Sequence, residues 1–506
     1  MKFISDEDRA KLIPAEDLPN FTPIPTQTIS SDEYFPAPQT AKQRQMEARL
    51  LYMGDQMAGK LGVSRRQFFQ TAAGMAAAYV ALNETFGGGF FEASRAEAQT
   101  PEQADERAKA LKGQWIMDMH THFLRDDTRL VSFAAMRNAV GKAGWNQALA
   151  GKEQTLEDLK FENYVKEMFL DSDTKLVCIS SAPSDVTQDW FLTNQQMADA
   201  RTKVNDRFGS KRLYSHAIFT PGQPGWLDQV DASIALKPDA MKGYTIGDNT
   251  HKDLSRFPWR MDDEKTTYRA YEKFVKAGVK NVCVHKGLFP TTMDKQYPNL
   301  RPFVDVSDVG KAAKDWPQLN FHIFHSGFRH VGGDPQLGLD EWKKTGRLSW
   351  VSDLADIPGK YGVSNVYCDT GQVFAFTLIS VPEVVAAMMG ILVKGLGADH
   401  VMWGTDALWT GSPQWQIEGL RRLEIPEDMQ KKHGFKPLGA ADGPVKSAIF
   451  GGNNARMFNI DFKQQQALQA KDKLTAMKVA YELEGPEPSN LRYGYAAQPI
   501  DYSAFA

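Results

Sequence analysis

From Gly113 onward, short apolar runs alternate with longer amphipathic stretches. Eight runs stand out: QWIMDMH, TKLVCIS, RLYSHAIF, AMKGYTI, KNVCVH, LNFHIFH, SNVYCD and HVMWGT. Each has strand length, whereas the intervening DWFLTNQQMADARTKVNDRF and EKTTYRAYEKFVKAG carry helical periodicity. Strand and helix units repeated in this way wind into a parallel sheet, and eight of them fit a closed barrel. The predicted class is α/β, a (β/α)8 TIM barrel over residues 113–460. Around it the pattern predicts a polar N-terminal extension (1–62), a helical insertion after strand one, and a C-terminal helix with an extended arm (461–506).

The insertion RLVSFAAMRNAVGKAGWNQAL spaces Phe133, Met136, Val140 and Trp145 near helical intervals. This predicts a helix at the barrel mouth, either a closing cap or a helix packed on the rim. The Pro-, Gly- and Tyr-containing tail EGPEPSNLRYGYAAQPIDYSAFA reads as an arm able to wrap a second copy of the chain, so a homo-oligomer is expected.

Residues 63–98 have a different character. Ser64, Arg65, Arg66, Gln67, Phe68 and Phe69 precede the small, apolar TAAGMAAAYVAL, and Ala96, Glu97 and Ala98 form an AxA-type cleavage pattern. The segment resembles a twin-arginine export signal, which implies the twin-arginine export machinery as a partner and a periplasmic or secreted location. The alternative is a buried helix and a cytoplasmic protein. Glu84 interrupts the apolar run, so a stable membrane anchor is not expected.

Composition narrows the class without naming it. The 506 residues are 42% hydrophobic and 24% charged, as in an ordinary globular enzyme. With 59 basic and 62 acidic side chains the net charge is -3, so nothing points to nucleic acid. The partner expected is a small-molecule substrate. Cys178, Cys283 and Cys368 each sit in an apolar run and read as reduced core residues.

Chemistry concentrates at the C-terminal ends of the runs, where barrels of this kind carry their sites. Alternation places Asp118, His120 and His122 on one side of strand one, with Met117, Met119 and Thr121 on the other. His285 ends the fifth run in phase with Asn281 and Cys283. His325 ends the sixth in phase with Phe321 and Ile323, while His322 has the opposite phase and is expected to face the helices. Asp406 follows the eighth run, beside strand one after closure. Histidines and a carboxylate gathered at four strand ends point to a metal site.

These residues resemble the amidohydrolase superfamily, in particular the amidohydrolase-related branch that includes aminocarboxymuconate-semialdehyde decarboxylase. The resemblance rests on MDMHTHF, CVHKG, PQLNFHIFHSG, NVYCDTG, LGADHVMWGTDAL and GGNNARMFNI, in that order, from about Gly113 to Ile460. It implies one divalent ion, zinc with manganese or iron as alternatives, held by His120, His122, His285 and Asp406. It also implies a role for His325 beside the ligands or as the proton-transfer histidine, and a catalytic role for Asp406. Some relatives carry a carboxylated lysine on strand four; Lys242 occupies that strand here but reads as structural, because this branch generally uses one metal.

A cation so held lowers the pKa of bound water, and an unligated histidine moves protons near neutrality. The activity expected is metal-dependent hydrolysis of a lactone, amide or ester. Non-oxidative decarboxylation of an unsaturated or aromatic carboxylate is the alternative, and a non-catalytic binding barrel is a third reading. Arg125, Lys286, Arg329 and His330 lie just past strand ends and are candidate substrate contacts, the arginines as carboxylate clamps. His216 is a possible pocket residue; His251, His400 and His433 look peripheral.

Overall fold

All eight apolar runs form strands: β1 (Met117–Thr121), β2 (Leu176–Ile179), β3 (Leu213–Ile218), β4 (Ala240–Tyr244), β5 (Asn281–His285), β6 (Asn320–Phe324), β7 (Val366–Asp369) and β8 (Val401–Met402). They come from a computed structural model that describes residues 21–27, 31, 34, 37–144, 151, 153–330 and 336–486. The strands are parallel and hydrogen-bonded in chain order. Closure comes from backbone bonds between β1 and the end of β8: Met119 N to Trp403 O (3.1 Å), Asp406 N to His120 O (2.8 Å) and His122 N to Ala407 O (2.6 Å). The architecture is the expected (β/α)8 barrel.

Among the described residues five helices precede the barrel: α1 (Ala41–Leu61), α2 (Arg65–Phe69), α3 (Ala72–Phe86), α4 (Arg95–Gln99) and α5 (Pro101–Leu111). Around and after the strands, the helices that matter below are α6 (Val131–Lys142), α7 (Asn194–Phe208), α8 (Val309–Asp315), α9 (Gly371–Ser380), α10 (Pro382–Gly395), α11 (Gln414–Arg422), α12 (Asn453–Met457) and α13 (Lys473–Glu484). Local sequence explains several of their ends. Thr40, Ser64 and Thr193 each cap a helix, with a glutamine three residues on returning the bond. Gly209 then ends α7 in the left-handed conformation at φ 79.

The barrel has two apolar layers. Val282, Val284, Phe321, Ile323, Val366, Cys368, Val401 and Trp403 join the large core under the helices. Ala240, Cys283, Phe324, Tyr367 and Met402 fill the interior, with Leu176, Cys178 and Tyr214 in a smaller cluster. All three cysteines are free and buried. Below them α12 seals the floor. Asn454 Nδ2 donates to Met117 O (2.7 Å) and Trp403 O (3.2 Å), tying β1 to the end of β8.

Simple alternation fails at two strands. In β1 the register shifts between Asp118 and Thr121, a bulge that sends neighbouring residues to the same side. Met117 and Met119 therefore pack in the interior clusters, contrary to expectation, and His120 still faces inward. Asp118 instead accepts from Thr405 N (3.0 Å) and from the Thr405 hydroxyl. In β6 the strand stops at Phe324, and His325 and Ser326 take φ of 61 and 49. Phe321 and Ile323 consequently face the helices, while His322 turns inward, stacked on Tyr367 at 5.0 Å and 3.4 Å from Asn281 Oδ1.

In the N-terminal region α1 is a 21-residue helix packed against α3. Among the described residues no helix is long and apolar enough to cross a membrane. Trp145 and the arm after residue 486 lie outside the described residues.

Replacing Asn454 with Ala removes both floor bonds and leaves two strand carbonyls without that donor. The expected cost is about 2 kcal/mol, read as a lower denaturant midpoint with an unchanged slope.

Candidate metal centre

β1 brings two imidazoles to the mouth, and their tautomers can be assigned from their partners. His120 Nδ1 lies 2.8 Å from Asp369 Oδ2, and His122 Nδ1 lies 3.1 Å from the Ser180 carbonyl oxygen. Both partners accept, so each neutral ring carries its proton on Nδ1 and its lone pair on Nε2. Both Nε2 atoms then lie 3.2 Å from the same atom, Asp406 Oδ1. The Nε2 of His120 is buried and makes no hydrogen bond.

Lone pairs this close to a buried carboxylate oxygen repel unless positive charge lies among them. The His120 ring does not supply that charge itself. Burial, reinforced by Lys242, His325, His122 and His285, holds its pKa well below the usual histidine range. The donor set therefore fits a divalent cation.

The ligand atoms of His120, His325 and Asp406 all lie within 4.8 Å of one another. The His325 ring sits 4.9 Å from that of His120 and 4.7 Å from that of His285, which stacks on Tyr244 at 4.7 Å. His325 is thus as close to the centre as the residues that the resemblance assigns as ligands, with His285 on its far side. Two left-handed residues help to build this arrangement, His325 at φ 61 and Asp406 at φ 59. Such strained backbone persists where surrounding structure fixes it. Here Asp369 Oδ1 accepts from His325 N at 2.6 Å, and Trp409 Nε1 donates to Asp406 Oδ1 at 3.3 Å.

Asp369 is the residue beside this cluster that sequence reasoning missed. One oxygen sets the His120 tautomer and the other fixes the His325 backbone. Burial raises its pKa well above the usual carboxylate value, and Lys242 opposes that rise. Lys242 is itself fully buried at the centre, its Nζ 3.2 Å from the Phe324 ring centroid. The signal was present in the sequence: an aspartate ends β7, as His285 ends β5 and Asp406 follows β8. Space is tight as well. A Cβ on Gly404 would meet Asp369 Oδ2 at 2.7 Å and His120 Cβ at 2.9 Å.

The four expected substrate contacts are held by the protein itself. Arg125 donates to Gln188 O (2.7 Å) and pairs with Asp127 (3.0 Å). Arg329 pairs with Asp294 beneath the Trp350 ring. His330 Nε2 meets Glu341 at 3.1 Å. Lys286, one residue after the inward His285, points the other way and forms a buried pair with Asp308 at 2.8 Å. His216 lies inside the barrel, 3.6 Å from Cys283 Sγ. His251 bonds to Thr250, while His400 and His433 stack on Tyr367 and Trp342.

Aromatic rings close the mouth. Phe133 of α6 meets Phe191 at 5.7 Å and Trp409 at 5.9 Å, and those two rings are 5.3 Å apart. Both also lie against His122, at 5.7 and 5.8 Å. The inserted helix therefore packs, through Phe133, on the two rings that lie against His122.

Residues 249–460 match the amidohydrolase family profile. The match spans less than half of the chain. It includes β5 to β8 and with them His285, His325, Asp369 and Asp406. No curated protein matches the chain. Among solved structures, an uncharacterized TIM-barrel protein from Bordetella bronchiseptica is 14% identical, covering 70% of this chain and 99% of its own, with a TM-score of 0.42. A 5-carboxyvanillate decarboxylase from Novosphingobium aromaticivorans, with bound manganese, is 14% identical over 69% and 98% of the two chains, at 0.41. A probable 2-pyrone-4,6-dicarboxylic acid hydrolase from Acinetobacter baumannii is 13% identical over 68% and 99%, at 0.36. Scores this low leave the barrel assignment resting on the strands described above.

Asp369→Asn should weaken divalent-metal affinity 10- to 100-fold, because the amide disturbs the tautomer of His120. Competition titration against a chromophoric chelator reads this directly, and unchanged affinity would contradict the assigned role.

Proposed function

We propose that the protein is a metal-dependent hydrolase of a small carbonyl substrate, a lactone, amide or ester. The observation that carries the reading is the meeting of two imidazole lone pairs at one oxygen of Asp406. His120, His122 and Asp406 would hold the ion, with His325 and His285 beside them. Zinc suits this nitrogen-rich set, and manganese or iron are the alternatives. Such an ion, when bound, polarises a carbonyl and brings the pKa of water toward neutrality.

The rest is done by the chain's own groups. His325, between the rings of His120 and His285, carries a proton between nucleophile and leaving group. Its orientation is set by a backbone bond to Asp369 rather than by side-chain freedom. Asp406 both ligates and accepts a proton. The rings of Phe133, Phe191 and Trp409 exclude water from this exchange and strengthen its electrostatics.

Decarboxylation is the second reading, favoured by the flat aromatic lining of the mouth, which suits an aromatic acid. The arginine clamps that would have supported it are engaged with Gln188, Asp127 and Asp294. Hydrolysis is therefore preferred.

Full-length protein loaded in turn with zinc, manganese and iron, then offered lactones, amides, esters and aromatic acids, decides between them. Acid production without carbon dioxide is expected, and carbon dioxide release would favour the second reading. His325→Asn and Asp406→Asn should each lower kcat by about 10²- to 10⁴-fold at unchanged thermal stability. Near-full turnover in Asp406→Asn with its metal bound would overturn the mechanism.

A further inference from the structure

The segment that reads as an export signal is folded into the body of the protein. Ser64 caps α2, Arg65 pairs with Asp55 at 3.0 Å, and Arg66 lies 5.0 Å from the Phe21 ring centroid. Phe68 and Phe69 are buried, as is nearly every residue of α3 from Ala73 to Leu82. The small residues have a packing reason. A Cβ on Gly74 would sit 2.4 Å from Phe68 O, and one on Gly54 would sit 2.3 Å from the Phe69 ring.

The segment also bonds to the barrel through main chain and charge. Tyr79 OH donates to Trp415 O at 2.5 Å. Phe91 bridges Leu423, with Glu92 N donating to Arg422 O (2.7 Å) and Glu424 N to Phe90 O (2.8 Å). Arg422 answers with a two-pronged pair on Glu97 at 2.6 and 3.0 Å. Ala98, after which cleavage would fall, is 1% exposed inside α4. Cleavage there would break a helix, take Glu97 and the Glu92 carbonyl away from Arg422 and uncover one face of α11.

We propose that residues 64–98 are a permanent helical clamp of the working protein, which holds α11 and, through it, the loop that carries Asp406. The link to that loop is short. α11 begins at Gln414, Trp415 receives the Tyr79 bond, and Gln416 Nε2 reaches back to Thr410 Oγ1 at 2.9 Å. This role is independent of which reaction the centre performs.

Three measurements on the full chain test it. A specific protease site inserted in the exposed Gly87–Gly89 turn allows the folded protein to be nicked. The N-terminal piece is expected to co-elute with the barrel, whereas its separation under native conditions would overturn the clamp. Expressed in a bacterium with an active twin-arginine pathway, the folded protein should retain residues 64–98 by intact mass in every compartment. A folded population starting after Ala98 would overturn the proposal. Glu97→Gln should lower Tm by about 5 °C by leaving the buried Arg422 guanidinium with Glu418 as its remaining charge partner, and an unchanged Tm would count against the clamp.

Discussion

A carboxylate oxygen that faces two imidazole lone pairs inside a protein is a problem of charge before it is a feature of catalysis. The geometry fixes where the compensating charge goes. Asp369 and the Ser180 carbonyl take the Nδ1 protons of His120 and His122, so neither ring can turn a donor toward Asp406 without losing a buried partner. Burial and neighbouring cationic groups keep His120 neutral. The arrangement is stable only with a cation or proton at the shared point, and the donor atoms suit a divalent metal.

Much of this was legible in the sequence, because the barrel imposes a rule that periodicity can follow. Strand ends at one rim collect the chemistry, and the eight apolar runs locate those ends. That rule points to His120, His122, His285, His325 and Asp406, of which the structure brings His120, His122, His325 and Asp406 together. What alternation could not convey was the local breaks in it. The bulge in β1 turns Met119 and His120 to the same side, and the halt of β6 at Phe324 gives His325 a left-handed backbone. Period-two reasoning assigns His322 and His325 to opposite faces, yet both turn inward, because a residue with positive φ no longer follows the strand.

Asp369 and the candidate substrate contacts at the rim show a second limit. Which partner a charged side chain finds depends on contacts distant in sequence: Asp308 for Lys286, Asp294 for Arg329, and Glu341 for His330. A position just past a strand end is compatible with touching substrate and equally with bracing a loop. Only the three-dimensional partner distinguishes them. The N-terminal segment carries the same lesson in apolar form. Small, hydrophobic, Ala-rich helices are the material of export signals and also of tightly packed cores, and composition alone does not show the close contacts that Gly54 and Gly74 make with Phe69 and Phe68.

The centre is therefore supported from two sides by different means. On one side the rings of Phe133, Phe191 and Trp409 lie over His122, held by dispersion and shape, so they can part without breaking a hydrogen bond among them. On the other, α11 is fastened by main-chain bonds, a tyrosine hydroxyl and a buried ion pair to the helices that precede the barrel. Strong, directional contacts suit the wall that must keep Asp406 in a strained conformation within coordinating distance of β1. Weaker, slipping contacts suit the wall through which a substrate must pass. If one side moves during turnover, the physical asymmetry assigns that motion to α6 and not to α11.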